Sequence, residues 1–237
     1  EAFSKQGFSL IEVIEVCTSY GMKANPSMKL RDIAKEAGLD EGLFVNKDLP
    51  AFKMDRNIDA KSLINDFQVM PKTYSAKINS PLKIMISGSA GEGVQSTAEI
   101  LAKAAIISGL HTTKKGSYPV TVGIGFSSSE VIVSPEIIQY TGLSSPDVLI
   151  VTSKDGIDFA SPRIRKMKEG SVIYVDETLQ LPETQASIFT YNFREKVGAK
   201  NACLYALYKY LSETDTIPLE AFLDIMKSSK MSSKVNI

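Results

Sequence analysis

Leu82 to Gly109 reads LKIMISGSAGEGVQSTAEILAKAAIISG, and the order of its parts decides the fold. An apolar run (Leu82, Ile84, Met85, Ile86) meets closely spaced glycines at Gly88, Gly91 and Gly93. A segment of helical period follows, with Val94, Ala98, Leu101, Ala102, Ala105 and Ile106 on one face. That order predicts strand, tight glycine turn and helix, the opening unit of a parallel α/β sheet. Such a turn directs backbone N–H groups and the positive end of a helix into a crevice, where they suit a phosphate or another acidic ligand. The same glycines would equally serve to pack the helix closely on the strand.

The spacing is G-x-x-G-x-G rather than the G-x-G-x-x-G of a dinucleotide site. No acid stands about 20 residues further on to hold a ribose hydroxyl; His111-Thr112-Thr113-Lys114-Lys115 occupies that region. Both departures count against NAD.

Outward from this unit, short apolar runs alternate with helical patterns. Val120 to Phe126 (VTVGIGF) alternates, and Val131 to Val133 follows across Ser127-Ser128-Ser129-Glu130, which predicts a β-hairpin. Asp147 to Thr152 and Val172 to Val175 read as buried strands. Ile164 to Lys168 reads as helical up to Gly170, Asn201 to Leu211 as a helix, and Pro218 opens a last one through Met226. The expected fold is α/β: a doubly wound, mostly parallel sheet made mixed by the inserted hairpin, over residues 81–237. Residues 1–50 form a separate small segment, with a strand at Phe8 to Val16 and a helix at Met28 to Ala37. Residues 51–80, punctuated by Pro71, are a linker or a wrapping arm.

Composition narrows the function. Of 237 residues, 27 are basic and 27 acidic, with no long single-sign run, so bulk charge draws the chain to neither nucleic acid nor a membrane surface. No stretch approaches the ~20 apolar residues that span a bilayer. Cys17 and Cys203 make no disulfide framework and suit a reducing cytoplasm. Two cysteines and one histidine cannot supply the usual four ligands of a zinc site. The chain opens at Glu1 without Met or an apolar leader, which reads as a fragment, a processed product or a trimmed chain.

Few residues carry chemistry. His111 is the only histidine, and no Ser/His/Asp set can be built around it. Glu92 lies in the glycine loop as a first-turn acid of the next helix or a ligand contact. Lys114, Lys115, Ser117 and Tyr118 read as a loop that either reaches a phosphate at the glycine turn or is a solvated basic surface. Asp155 and Asp158 follow a buried strand and suit helix capping. Cys203 falls on an apolar helical face and reads as core.

The loop GSAGEGV, its helix, the serine-rich run ending Ser134-Pro135, the strand SSPDVLIVT and the late helix NACLYALYKYL resemble, in that order, the γ subunit of 2-oxoacid:ferredoxin oxidoreductases. The family's loop reads close to G-x-G-G-Q-G-V. Here Ser89, Ala90 and Glu92 replace its commoner residues, while Gly88, Gly91, Gly93 and Val94 keep the frame. The family's middle loop often carries an Arg-Gly-Gly after Ser-Tyr; here Ser117-Tyr118-Pro119 stands without that arginine. A second stretch, GFSLIEVIEVCTSYG from Gly7 to Gly21, resembles the end of the thiamine-binding β subunit of the same enzymes. Cys17 matches the last cysteine ligand of that subunit's [4Fe–4S] cluster, with Thr18 in place of the usual proline. The chain thus resembles the end of a β domain joined to a γ domain.

The resemblance implies a part in a complex that oxidatively decarboxylates a 2-oxoacid on thiamine diphosphate, passes electrons through iron–sulfur clusters to ferredoxin, and hands the acyl group to coenzyme A. Its partners would be the α and β subunits or domains. It implies no catalytic residue on this chain. Its role would be assembly and coenzyme A contact, through Gly88, Ser89, Ala90, Gly91, Glu92, Gly93 and Val94 with Lys114 or Lys115. The metal role of Cys17 would belong to an intact β–γ protein. The alternatives are a stand-alone, Rossmann-like nucleotide-binding module and a purely structural interaction domain.

Overall fold

The computed structural model describes residues 25–36, 38, 69–120 and 123–229. The chain divides into two units, Glu1–Asp66 and Phe67–Ile237. In the first, helix α1 (Leu30–Glu36) falls within the expected segment, and Gly38 closes it by donating its N–H to the Lys35 carbonyl at 3.0 Å. The strand expected at Phe8 to Val16, and Cys17, lie outside the described residues.

The second unit is a six-stranded mixed sheet. Its elements are β1 (Leu82–Ser89), α2 (Val94–Ile107), β2 (His111–Ser117), β3 (Phe126–Ser134), β4 (Val148–Val151), α3 (Lys154–Ile164), β5 (Val172–Asp176), β6 (Ser187–Tyr191), α4 (Phe193–Val197), α5 (Ala199–Glu213) and α6 (Leu219–Ser228). The strand order is β2-β3-β1-β4-β5-β6. β1, β4, β5 and β6 run parallel, whereas β3 pairs antiparallel with both β1 and β2.

Strand alternation sorts the core into two layers. Ile84, Ile86, Val148 and Ile150 join α2, α5 and α6 in the larger cluster, with Val131 and Val133 of β3. Met85, Leu149, Val151, Ile173 and Val175 face Ile157, Ala160 and Ile164 of α3. Both faces are covered, so β1, β4 and β5 carry continuous apolar runs at Ile84–Ile86, Val148–Val151 and Val172–Val175, as parallel strands do. Residues 69–80 run extended over the larger cluster. Met70, Tyr74, Ala76 and Ile78 pack on it, and the Thr73 and Tyr74 N–H groups donate to the Ile107 carbonyl at 2.8 and 2.9 Å.

Four expectations are corrected. The hairpin is β2–β3, and Ser127 to Glu130 lies within β3 rather than in its turn. Three of its four side chains find partners: Gln95 donates to Ser127 Oγ at 3.3 Å, Ser128 Oγ to the Ile86 carbonyl at 3.3 Å, and Arg163 to Glu130 at 2.7 Å; the buried Ser129 hydroxyl has none among the described residues. Lys114 and Lys115 are on the edge strand β2, not on a loop. The helix read at Ile164 to Lys168 sits earlier, as α3. Ser153, rather than Asp155 or Asp158, caps it by accepting from Gly156 N–H at 3.2 Å, and Pro162 is taken up near its end.

Candidate functional site

β1 leads to strands on one side of the sheet and β4 to strands on the other, so the switch point of the topology lies between them. Ligands of open α/β sheets bind outside the carboxyl ends of the strands at such a point. Two crevices open there. The larger, about 600 Å³, is lined by Gly91, Gly93, Val94, Gln95 and Ser96 at the start of α2, by Ser127 of β3, and by Lys200 and Asn201 at the start of α5. The smaller, about 310 Å³, lies among Ser89, Ser153, Lys154, Asp155, Leu179 and Arg194.

The larger cleft has the makings of an anion site. Gly93 turns into α2 with φ 76°, and neither α2 nor α5 has a side-chain cap. The first-turn N–H groups of a helix have no intrahelical carbonyl to bond, and they carry the positive end of its dipole. Two such ends meet at this cleft, with the exposed Lys200 ammonium beside them.

The rest of the glycine loop is spent on itself. Ala90 N–H donates to the Gly125 carbonyl at 2.8 Å. Ser89 N–H donates to Glu92 Oε2 at 3.0 Å, and Ser89 Oγ to Asp155 Oδ2 at 2.8 Å. Glu92 is more than a first-turn acid, because both of its carboxylate oxygens are engaged within the protein. Its carboxylate turns back into the loop and accepts from Arg194 Nη1 at 2.6 Å. Gly88 sits where a Cβ would press on Glu92 Oε2 at 3.0 Å and Val94 Cγ2 at 3.0 Å, so it permits the close packing of the loop.

Of the residues read from the sequence, the structure therefore brings Gly91, Gly93 and Val94 to the cleft. Ser89 lines the smaller crevice, and Gly88, Ala90 and Glu92 line neither. Lys114 and Lys115 alternate across β2. Lys114 acts electrostatically on Glu99 of α2, and Lys115 Nζ approaches Gly142 beside Glu130 on the other face. Neither lines the cleft. His111 is exposed at the end of the sheet where β1 begins, away from the glycine loop. Cys203 is fully buried in the larger cluster, its Sγ 3.0 Å from Thr152 Oγ1, and burial pushes its thiol up to about 12. Such a thiol is inert at neutral pH. Gln95, Ser96, Ser127, Lys200 and Asn201 were missed by sequence reasoning. The available signal was Gly198-Ala199-Lys200-Asn201 just ahead of an apolar period, a second helix start with a cation in its first turn.

Among the described residues no group of three or more His, Cys, Asp or Glu is placed to hold a metal, and no helix is long and apolar enough to cross a membrane.

Residues 83–228, which include the whole cleft, match the family model of the pyruvate ferredoxin/flavodoxin oxidoreductases. The chain belongs to that family. Ketoisovalerate oxidoreductase subunit VorA of Methanothermobacter thermautotrophicus is 25% identical over 182 residues, 73% of this chain. This chain covers 37% of that relative's length. The 2-oxoglutarate synthase subunit KorC of Methanocaldococcus jannaschii is 31% identical over 116 residues, 47% of this chain and 60% of its own. Among solved structures, the γ subunit of keto/oxoacid ferredoxin oxidoreductase from Geobacter sulfurreducens superposes with a TM-score of 0.53 at 26% identity, over 64% of this chain and 88% of the other. The fold is also that of 2-oxoglutarate:ferredoxin oxidoreductase from Magnetococcus marinus, solved with 2-oxoglutarate, coenzyme A and succinyl-CoA bound. That match has a TM-score of 0.56 at 20% identity, over 67% of this chain and 28% of that one.

Proposed function

We propose that this chain supplies the γ part of a 2-oxoacid:ferredoxin oxidoreductase and that its cleft holds the phosphate-bearing end of coenzyme A. The observation that carries the reading is the meeting of two uncapped helix N-termini with Lys200, inside a fold of this family. Phosphate oxygens suit the N–H donors and positive dipole of a helix start and an ammonium, and neither helix supplies a carboxylate to compete in its first turn. The cleft's lining offers no nucleophile or proton-transfer pair, so the chain's own contribution is to bind and orient. The redox and acyl-transfer chemistry belongs to thiamine diphosphate and iron–sulfur clusters on partner domains.

The reading includes partners. Tyr118, Val120 and Ile124, in the connection between β2 and β3, are 68%, 101% and 67% exposed, an apolar surface suited to the α and β parts of the complex. It also includes the start of the chain. The VorA match covers 73% of this chain, more than the 146 residues from 83 to 228 of the family match, in a relative far longer than a γ domain alone. That supports a β–γ arrangement in which Cys17 completes a cluster with cysteines from the rest of the β domain. Ferredoxin as acceptor and a cytoplasmic setting follow from the same reading. A stand-alone nucleotide-binding module is disfavoured by the glycine spacing and by the family match through the whole sheet.

In the assembled complex, Lys200→Glu should raise the KM for coenzyme A about tenfold or more, the loss of one charge-assisted contact and its replacement by repulsion. The KM for the 2-oxoacid should hold. An unmoved KM for coenzyme A would remove the cleft from the reaction.

A further inference from the structure

We infer that Arg194 is a positioning residue for this cleft, acting through Glu92. The inference rests on the coenzyme A reading of the cleft and concerns how the binding geometry is kept.

Arg194 belongs to the short helix α4, and its contacts gather four carboxyl-edge segments. Its Nη1 donates to Glu92 Oε1 at 2.6 Å and to the Thr152 carbonyl at 2.9 Å. Its own N–H donates to the buried Asp176 Oδ2 at 2.8 Å. The glycine loop, the end of β4 and the end of β5 are thereby tied to α4. Gly198 ends α4 and begins α5, so the same anchor sets where Lys200 enters the cleft.

The link from Glu92 to the cleft is covalent and short. Glu92 Oε2 holds the Ser89 N–H, which closes the loop on itself and leaves Gly93 to turn directly into α2. The Glu92 side chain is 8% exposed and that of Arg194 34%. A carboxylate buried this far needs its partner, because an uncompensated charge would draw the loop outward toward water. Without the pair, the first-turn N–H groups of α2 lose their fixed separation from Lys200. A phosphate bridging two helix ends is sensitive to that separation, since misplacement on the order of one ångström is enough to cost a large factor in a positioned interaction.

The test uses the assembled complex, with coenzyme A as the probe. Arg194→Ala should raise the KM for coenzyme A about tenfold, with kcat at saturating coenzyme A and the KM for the 2-oxoacid each within about twofold. Glu92→Ala should do the same, and the double variant should be no worse than either single one, because both break one link. Glu92→Gln, whose single amide oxygen can accept from only one of Ser89 N–H and Arg194, should restore part of the affinity that Glu92→Ala loses. If Arg194→Ala prevents assembly, Arg194→Lys and Glu92→Gln carry the comparison, with Lys the weaker because it is a single point of charge. A merely structural role would lower the active fraction, and hence kcat, while leaving the KM in place; that result overturns the proposal. So would effects of the two single variants that multiply. If Lys200→Glu raises the KM while Arg194→Ala does not, positioning fails and the cleft stands. If neither moves it, the coenzyme A reading fails and takes this inference with it.

Discussion

Two buried glutamates do the same thing in two places. Glu92 accepts from the Ser89 N–H at 3.0 Å and pairs with Arg194 at 2.6 Å. Glu130 accepts from the Leu143 N–H at 2.9 Å and pairs with Arg163 at 2.7 Å. Each carboxylate pins one loop through a backbone N–H, and each is neutralised by an arginine from a distant helix. The surroundings differ. Arg163 also lies over the Phe159 ring, which stacks on Phe126, so the second pair braces the hairpin against α3. The first pair lies beneath the cleft. Equal chemistry gives stability alone in one place and, on the reading proposed above, stability coupled to ligand geometry in the other.

The comparison breaks most sharply at the arginines. Arg163→Leu leaves Glu130, whose side chain is 2% exposed, as a buried charge without its cation. Losing one partner of a buried pair costs about 3–5 kcal/mol. For a unit of this size that is roughly 6–20 °C in Tm by thermal melting. In the assembled complex the KM for coenzyme A should stay where it is. A rise in that KM would mean that the two pairs are not functionally distinct.

The loops themselves sharpen it at smaller cost. Gly91 stands beside Glu92 with φ 89°, and Gly142 beside the Glu130-held Leu143 with φ 81°. An added Cβ at Gly91 meets nothing within 4 Å, whereas at Gly142 it would lie 3.2 Å from Glu130 Oε2 and 3.3 Å from Lys115 Nζ. Gly91→Ala should thus cost only the strain of the left-handed backbone, about 1 kcal/mol. Gly142→Ala should cost about 2 kcal/mol, because the pinned carboxylate cannot step aside. Urea unfolding of the two variants would rank them; the reverse order would show that Glu130 is free to move.

What the sequence made legible follows from how local each cause is. The unit from Leu82 to Ile107 was readable because apolar run, glycine turn and helical period are neighbours in the chain. The strands near Val148 and Val172 were readable because burial on both faces leaves continuous apolar runs. β2 was missed, since HTTKKGS is an edge strand whose side chains are mostly exposed, and β6 (SIFTY) hides for the same reason. The serines of β3 looked like a turn because their partners, Gln95 and Ile86, are remote in sequence. The site divides likewise. Gly91, Gly93 and Val94 announce themselves, whereas Lys200 reaches the cleft only through the packing of α5. Arg194 lies 102 residues from Glu92, and no periodicity could join them.

A third carboxylate marks the lower limit of the comparison. Glu213 accepts from Tyr174 at 2.9 Å, from Tyr191 at 2.8 Å and from Lys209 at 2.8 Å, but at the surface. Partial desolvation pushes its carboxyl up, and the hydrogen bonds from Lys209, Tyr191 and Tyr174 outweigh it, leaving it below the usual range. A carboxyl lowered in the folded state stabilises the fold above its unfolded pKa, about 4.3 for Glu, and loses that contribution as the pH falls through the lowered value. Exposure and salt screening keep the amount under about 1 kcal/mol. Glu213→Gln should therefore be slightly less stable than the parent chain at pH 7, with the gap closing as both are titrated below pH ~4. Urea unfolding at the two pH values measures it. A gap that persisted at low pH would assign the effect to side-chain shape rather than charge. A gap of several kcal/mol at pH 7 would mean that this surface carboxylate is held as tightly as Glu92 and Glu130, and burial would no longer be what separates them.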